Sequence, residues 1–423
     1  MSKLSPSREA IVITGAGAVC TIGNSVREIW NRLITGKPGS PTGGLSISAA
    51  PTGSIPDVKT DIHPQLAKSM GKHLSLLLKS AEEALEGSGL KSGVLAPEDI
   101  GFFAGMGMVD YHIDDLLPAV LKSLGPEGNL DYEKFFSRGH QEIYPLWPLG
   151  MLNNVAFCQA AIHFGIRGEN CVFSPHADSG ILAVAEGAEV LREKKAKAVL
   201  AGGISEEISP SSLARAGLAG LIDSSPCLKT DSGCTDSTGD SRSFFLGECG
   251  AMLVMEPLEL AESRGARPLA WITGFGFSCD RGDQNIFPSP RAVSAAMKDA
   301  LSQARMNPGN IDLIMVGSPE SRRSNELEAI RMIWGDEENR PVLLSSGRLV
   351  GEVFAAGPIL NAIIGAKIFE SSTVPQSLAF SSPGFDGWTD PARLRKKEAN
   401  PGRILVNAMS YEGQCATMAM EVL

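Results

Sequence analysis

The stretch CVFSPHADSGILAVAEGAEVL (171–191) has the pattern of a short strand, a tight turn and a buried helix. Apolar residues precede the turn, and Gly180 opens a segment that is apolar on nearly all sides. A corner of this kind presents one side chain at a helix N-terminus, which is how several acyl-transfer enzymes expose a nucleophile. The residue at the apex here is Ala177, which has no nucleophilic atom.

Length, composition and charge bound the class of protein. A chain of 423 residues is too long for one ordinary core, so we expect two domains or a duplicated fold. Hydrophobic content of 43% with 20% charged residues is typical of a globular protein. A net charge of −10 argues against a general nucleic-acid binder, because phosphate neutralisation needs basic patches. Local basic groups remain, such as the one at Arg192, Lys194, Lys195 and Lys197.

Targeting and cysteine patterns predict a cytoplasmic protein without metal or cofactor. The N-terminal MSKLSPSREA lacks the apolar core of a signal peptide, and no apolar run reaches transmembrane length. The eight cysteines are scattered and form no CxxC pair, which argues against a zinc or thioredoxin-like centre. We therefore expect free thiols in a reducing cytoplasm, no membrane partner and no nucleic-acid partner.

Apolar runs alternate with helical periodicity throughout the chain, which predicts an α/β fold with buried sheets. The predicted strands are 10–15, 100–105, 196–203, 251–256, 311–317, 341–346 and 403–410. The predicted helices are 72–87, 180–196, 290–304, 325–334 and 358–370, and the second and fifth are apolar enough to lie between layers. Covering loops are expected at 37–57, 224–243 and 380–403. A midpoint at 262–268 divides the chain into residues 1–262 and 263–423.

The early GAGAVC (15–20) resembles the start of a dinucleotide-binding fingerprint. However, the third glycine position holds Cys20, and no acidic residue closes a second strand at the usual distance. A tight strand–helix corner is the better interpretation.

His176, Asp178 and Ser179 have the composition of a catalytic triad. Residues this close in sequence cannot easily align as nucleophile, base and orienting group. Ser179 and Gly180 are better explained as opening the helix, with Asp178 complementing its positive end. His176 is then either a structural histidine or a tunnel or interface residue.

All histidines lie in the first 176 residues. They are His63, His73, His112, His140, His163 and His176. Any mechanism that needs an imidazole from the C-terminal half is therefore excluded.

Several long stretches resemble the β-ketoacyl-acyl-carrier-protein synthases of the KAS II type, which are condensing enzymes. They are IVITGAGAVCTIGNSVREIWNRLITGKPG near the N-terminus, MLNNVAFCQAAIHFGIRGENCVFS (151–174), VLAGGISEEISPSSLARAG (199–217) and FFLGECGAMLVMEPLELAESRGARPLAWITGFG (244–276). The resemblance runs from about residue 10 to the C-terminus. It implies a thiolase-like α/β fold in which duplicated halves form five layers, αβαβα.

The resemblance also locates the positions where the family carries its chemistry. The nucleophilic cysteine position holds Ala177, and the two histidine positions hold Val316 and Glu352. Gly347 stands in the family's lysine position, and Tyr411 stands where the family has its gating phenylalanine. Condensation needs the thioester-forming cysteine and both histidines, so losing all of them implies that this chemistry has been abandoned.

The family includes a subunit type that has lost these residues, the chain-length factor of type II polyketide and polyene synthases. The resemblance implies a heterodimer with a catalytic ketosynthase, in which this chain shapes an acyl tunnel and the partner makes most contacts with the acyl carrier protein. Two alternatives remain open. One is a divergent acyl-transfer or hydrolytic enzyme that uses Glu352 as base, and the other is a structural homodimer or scaffold.

Candidate tunnel, gate and interface residues follow from the same resemblance. The tunnel and gate candidates are Tyr411, Glu412, His176, Tyr111 and His112. The dimer-interface candidates are Pro148, Met151, Asn153, Asn154 and Phe157. The stretch 108–124 is either a plug at the end of the tunnel or an ordinary surface helix.

Overall fold

A computed structural model describes most of the chain. The described residues are 10–36, 52–53, 71–90, 93–108, 113–206, 208–221, 228–230, 233–235, 245–280, 287–319, 323–335, 340–380, 382, 384–385, 387–390, 392 and 402–422.

Fourteen strands are present in these residues. They are β1 Ile11–Cys20, β2 Thr52–Gly53, β3 Ile100–Met106, β4 Asn170–Phe173, β5 Ala198–Ile204, β6 Leu228–Thr230, β7 Gly233–Thr235, β8 Leu246–Gly247, β9 Cys249–Pro257, β10 Ala270–Cys279, β11 Leu313–Met315, β12 Val342–Leu344, β13 Arg403–Met409 and β14 Gln414–Glu421.

The α-helices of the described residues number thirteen. They are α1 Val26–Thr35, α2 Gly71–Ser88, α3 Ile113–Lys122, α4 Tyr132–Ser137, α5 Trp147–Met151, α6 Asn153–Phe164, α7 Asp178–Arg192, α8 Pro210–Leu218, α9 Leu258–Ser263, α10 Pro290–Gln303, α11 Ser324–Trp334, α12 Gly347–Val350 and α13 Ala356–Ser371.

Ten of the strands repeat one pairing pattern twice. In the first half β1 pairs antiparallel with β9, β9 antiparallel with β5, and β5 and β4 each parallel with β3. In the second half β10 pairs antiparallel with β14, β14 antiparallel with β13, and β13 and β12 each parallel with β11. The two sets of five strands meet where Val12 and Ile13 pair with Trp271 and Ala270. The expected duplication is therefore visible in the topology.

The helices form three layers around the two sets of strands. Helix α2 covers β1 and β9 on one outer face, and α10 covers β10 and β14 on the other. Helices α7 and α13 lie in the centre, where α7 contacts β3, β5, β13 and β14, and α13 contacts β5, β9, β11 and β13. The order is αβαβα, as expected, and the predicted burial of both central helices is confirmed.

Every strand and helix that the apolar pattern predicts is present, with ends shifted by a few residues. The pattern missed β10 and β14, because AWITGFGFSC and QCATMAME mix small and polar residues with the apolar ones. The three expected loops lie mostly outside the described residues, although 224–243 contains a short antiparallel hairpin of β6 and β7. The boundary between 1–262 and 263–423 stays a prediction.

The glycines of GAGAVC lie inside β1 and not at a strand–helix corner, so that expectation is wrong. A Cβ atom on Gly15 would lie 2.1 Å from the Ala84 carbonyl oxygen, and one on Gly17 would lie 2.1 Å from the Ser80 carbonyl oxygen. Both glycines therefore allow α2 to pack directly against the backbone of the strand.

We predict that Gly17→Ala lowers the free energy of unfolding by about 1–3 kcal/mol, because the new methyl group must displace the backbone of α2. Gly217→Ala is the matched control, since a Cβ there meets nothing within 4 Å. Chemical denaturation should show Gly217→Ala unchanged or slightly stabilised. Equal stability of Gly17→Ala and the native chain would contradict the described packing.

Candidate functional site

The predicted elbow is present at the start of central helix α7. Ala177 occupies the position before the helix and is 4% exposed. A Cβ atom on Gly180 would lie 2.1 Å from the Ala355 carbonyl oxygen, and one on Gly203 would lie 1.9 Å from the same atom. Only glycine at both positions lets the backbone just before α13 reach the elbow. The start of α13 therefore lies beside Ala177.

The three polar residues of the elbow do not form a triad. The Ser179 hydroxyl donates to the His176 carbonyl oxygen at 2.5 Å. The Ser410 hydroxyl donates to the Asp178 carboxylate at 2.6 Å and accepts from the Asp178 backbone N–H at 3.3 Å. Asp178 therefore fixes the turn between β13 and β14 against the first turn of α7, and Ser179 closes the elbow.

The three degenerate positions converge on one small pocket. Ala177, Val316 and Glu352 all line a cavity of about 50 Å³, which has room for one or two water molecules. Gly347, from the family's lysine position, lines it as well. Among the described residues, the lining contains neither cysteine nor histidine. The positions that the family resemblance singles out therefore share one pocket, and the lining of that pocket supplies no thiol or imidazole.

A buried polar network fixes the turn that carries Val316. The Glu326 carboxylate accepts from the backbone N–H of Gly317 at 3.1 Å and from that of Ser318 at 2.8 Å. The Asn407 amide donates to the same carboxylate at 2.8 Å. Glu326 is fully buried, so these bonds are costly to break. The turn is therefore firmly held, and the side chain that lines the pocket from it is the isopropyl group of Val316.

Glu352 is the one titratable group whose pKa is strongly shifted towards neutrality in this pocket. Its main chain is held by a bond from its own N–H to the Phe245 carbonyl, and its carboxylate accepts from the Phe354 N–H at 3.0 Å. Burial raises the pKa of Glu352 to about 7. The negative charge of Glu206 also raises this pKa, while two backbone hydrogen bonds lower it. Glu352 therefore titrates near neutral pH.

Glu206 was missed by the sequence reasoning. It follows β5, is 6% exposed, and accepts from Arg215 Nη2 at 2.9 Å. Burial raises the pKa of Glu206, and the Arg215 guanidinium opposes the rise. The available signal was a pair of glutamates directly after a fully apolar strand, where a solvated turn is the ordinary interpretation.

Arg323 was also missed. It lines the pocket, is 5% exposed, and donates from Nη2 to the Ser345 hydroxyl at 3.1 Å. Its guanidinium stacks over the Phe380 ring at 4.3 Å. Arg323 stands in the polar stretch SPESRRSN, a composition that is typical of an exposed turn. The sequence carries no signal that this arginine is buried.

The structure brings three of the gate and tunnel candidates together. The Tyr411 ring centroid lies 4.2 Å from that of His176 and 6.2 Å from that of Phe354. Glu412 Oε2 lies 3.1 Å from His176 Nε2, while His176 is almost fully buried. Burial raises the pKa of the Tyr411 phenol. The β13–β14 turn therefore covers the elbow through aromatic contacts. The other two candidates, Tyr111 and His112, lie outside the described residues.

The interface candidates divide into surface and interior residues. Pro148 and Asn154 are exposed, and Met151 is half-buried. Asn153 donates to the Gly107 carbonyl at 2.8 Å, which anchors the loop after β3. Phe157 is a correction, because it is 2% exposed and stacks on Phe102 at 4.2 Å between centroids. It lies on the inner face of α6, so its side chain offers no surface to a partner.

Exposed apolar side chains concentrate beside the elbow. Of the sixteen large apolar side chains that are exposed in the described part of the chain, eleven lie between residues 113 and 162, and we call this surface the 113–162 face. They are Ile113, Leu117, Val120, Leu121, Tyr132, Phe136, Tyr144, Leu146, Leu149, Leu152 and Ile162. Helix α6 of this face packs on β4, which is the outermost strand of its sheet. Exposed apolar side chains concentrated in one part of a chain are typical of segments that contact a partner.

Comparison with known proteins identifies the family. The N-terminal domain of β-ketoacyl synthases matches residues 8–261, and the C-terminal domain of the same family matches residues 269–381. The chain therefore belongs to the β-ketoacyl synthase family, whose condensing-enzyme members elongate fatty acids and polyketides. In the described residues, no helix is long and apolar enough to cross a membrane.

Relatives and neighbours agree with this assignment. A 3-oxoacyl-[acyl-carrier-protein] synthase 2 of Coxiella burnetii is 25% identical over 98% of each chain. Nodulation protein E of Rhizobium leguminosarum bv. trifolii is 25% identical over 88% of this chain and 89% of its own. Among solved structures, the ishigamide ketosynthase/chain length factor superposes with a TM-score of 0.76 at 19% identity, over 99% of this chain and 100% of that one. This likeness shows the thiolase-like fold.

The raised pKa of Glu352 predicts a pH-dependent loss of stability. The unfolded chain releases this proton near pH 4.5 and the folded chain near pH 7. Stability therefore falls as the pH rises through this window and stays lower above it. Glu352→Gln removes this pH dependence of stability, and the new side chain keeps an oxygen that can accept the hydrogen bond from the Phe354 backbone N–H.

We expect Glu352→Gln to gain on the order of 1 kcal/mol over the native chain at pH 8 and to differ little at pH 4.5. Denaturant titrations at both pH values measure this difference. Glu328→Gln, an exposed glutamate on α11, is the control and should leave the pH profile unchanged. A Glu352→Gln profile parallel to that of the native chain would refute the raised pKa.

Proposed function

We propose that this chain is a non-catalytic subunit of the chain-length-factor type. It pairs with a catalytic ketosynthase and shapes the acyl tunnel during elongation on an acyl carrier protein. One observation supports this above all others. Ala177, Val316 and Glu352, which the family resemblance assigns to the nucleophile and the two histidine positions, line a single pocket.

The chemistry of the pocket is the first supporting argument. Condensation needs a thiolate that carries the growing chain and donors that stabilise charge during decarboxylation. Alanine and valine supply neither, and a glutamate that gains negative charge near pH 7 opposes a developing enolate. Loss of a single charge-stabilising donor typically costs about 100-fold in rate. The combined loss leaves no route to condensation in this chain.

The 113–162 face supports the need for a partner. Its apolar side chains lie on α3 to α6, next to the outermost strand β4. An unpaired edge strand beside exposed apolar helices invites association with another chain. The interface candidates Pro148, Met151 and Asn154 lie within this face. The stretch 108–124, a plug at the end of the tunnel or a surface helix, overlaps this face at α3, where Ala119 is the one buried side chain of the helix.

Charge supports an indirect role in carrier-protein contact. Acyl carrier proteins are acidic, and this chain has a net charge of −10, so mutual repulsion disfavours direct docking. In the proposed complex the ketosynthase provides most of the docking surface. This chain contributes tunnel walls, whose length and polarity decide when a growing acyl chain no longer fits.

The defining experiment is co-expression with a catalytic ketosynthase of the same organism, followed by mass analysis of the acyl products. The proposal predicts that product chain lengths change, or that products disappear, when this chain is omitted. Identical products with and without this chain would overturn the proposal.

The 113–162 face can be tested with a charge substitution. Leu149→Asp places a carboxylate among exposed apolar side chains, and we expect at least about tenfold weaker association with the ketosynthase. Met332→Asp is the control, because Met332 is similarly exposed on α11, in the second half of the chain. Analytical ultracentrifugation of the mixed chains measures the association. Equal weakening by both substitutions would argue that the face is not the interface.

Restoring the thiol should not restore catalysis. We expect Ala177→Cys to yield no elongation product above that of Ala177→Ser when malonyl- and acyl-carrier proteins are supplied, since Val316 and Glu352 still occupy the two histidine positions. Product analysis by mass spectrometry gives the readout. Condensation by Ala177→Cys at the rate of a working ketosynthase would contradict this expectation, because it would show that the native chain lacks only the cysteine thiol.

The pKa of Glu352 near 7 favours a second candidate, a hydrolase or acyltransferase with Glu352 as general base. That enzyme would consume an acyl thioester without any partner, and Glu352→Gln would abolish the reaction. A homodimeric scaffold is the remaining candidate, and stable self-association through the 113–162 face that excludes a ketosynthase would identify it.

A further inference from the structure

A second cavity lies along the C-terminal part of α13, and we call it the rear cavity. The elbow pocket lies at the other end of this helix, along its N-terminal part. The rear cavity has a volume of about 160 Å³. Its walls come from β1, β9, the segment before β10 and the last turns of α13. No residue lines both cavities, so this one is separate from the degenerate site.

The floor of this rear cavity is apolar. Ile13, Leu253 and Ala362 are each no more than 3% exposed, and the Phe369 ring forms part of the wall. Aliphatic and aromatic side chains of this kind form the apolar part of a ligand pocket and contact the hydrocarbon part of a ligand, while the charged side chains at the rim stay in contact with solvent. The space therefore suits a hydrocarbon group of about six carbon atoms.

The rim of the rear cavity carries positive charge. Lys367 Nζ pairs with Glu370 Oε2 at 2.6 Å, so these two charges balance. Arg267 is exposed at the rim and has neither an ion pair nor a hydrogen bond among the described residues. A free guanidinium is suited to bind a carboxylate with two parallel hydrogen bonds.

We infer that the rear cavity binds a short-chain monocarboxylate, with its hydrocarbon tail on the apolar floor and its carboxylate on Arg267. A chain of about six carbons fills the volume and leaves the carboxylate at the rim. Because Lys367 and Glu370 balance each other, Arg267 sets the sign of the rim, so a cationic ligand is repelled and a neutral one leaves Arg267 unused. The inference does not depend on the proposed subunit role.

The test compares three ligands of equal length on the full chain by ligand-observed NMR or calorimetry. Hexanoate should bind more tightly than hexanol, and hexylamine should bind most weakly. Arg267→Gln should weaken the binding of hexanoate by at least about threefold and leave the binding of hexanol unchanged. Arg291→Gln, an exposed arginine on α10, is the control and should change neither.

Two further variants locate the site. Ala366→Leu places a larger side chain in the cavity wall and should abolish binding of both hexanoate and hexanol. Glu352→Gln, in the elbow pocket, should leave hexanoate binding unchanged. Three results would overturn the inference. They are hexanoate binding at full strength in Arg267→Gln, loss of hexanoate binding in Glu352→Gln, and no binding of any of the three ligands to the native chain.

Discussion

The close approach of the two central helices is the constraint on which the site depends. The Ala355 carbonyl oxygen occupies the space that a Cβ atom would need at Gly180 and at Gly203. Such a Cβ would lie 2.1 Å from this oxygen at Gly180 and 1.9 Å from it at Gly203. Because neither residue has a side chain, the backbone before α13 reaches both the start of α7 and the end of β5. This contact joins the two halves of the duplicated fold. It also places Ala177 from one half and Val316 and Glu352 from the other around one pocket.

The pocket has a hydrogen-bonded frame, and its lining contains neither a thiol nor an imidazole among the described residues. Glu326 still fixes the turn of Val316 through two backbone N–H groups and Asn407. Ser410 still ties the β13–β14 turn to Asp178. Such buried networks stabilise a unique arrangement of backbone whether or not a catalytic side chain is present. Under the proposed subunit role, a frame of this kind serves as a wall of the acyl tunnel and takes no part in the chemistry.

Much of the fold could be predicted from sequence because apolar periodicity reports burial directly. The central helices were recognised since both are apolar on nearly all sides. Strands β10 and β14 were missed because glycine, alanine and threonine weaken the alternation. The glycines of β1 were assigned to a corner because sequence alone does not show that α2 packs on them. Local sequence also does not predict the burial of Arg323 or the pairing of Glu206 with Arg215, because both arise only from tertiary contacts.

The candidate site positions come from a different kind of argument. Resemblance to a family singles out Ala177, Val316 and Glu352, and the structure places the three in the lining of one pocket. Resemblance does not report which way a side chain points, since Phe157 packs on Phe102 in the interior. The central claim is that elongation chemistry resides on a partner chain. Intact-protein mass spectrometry of the mixed subunits after acyl loading tests it most directly. The account predicts an acyl adduct on the ketosynthase alone, and an acyl adduct on this chain would contradict it.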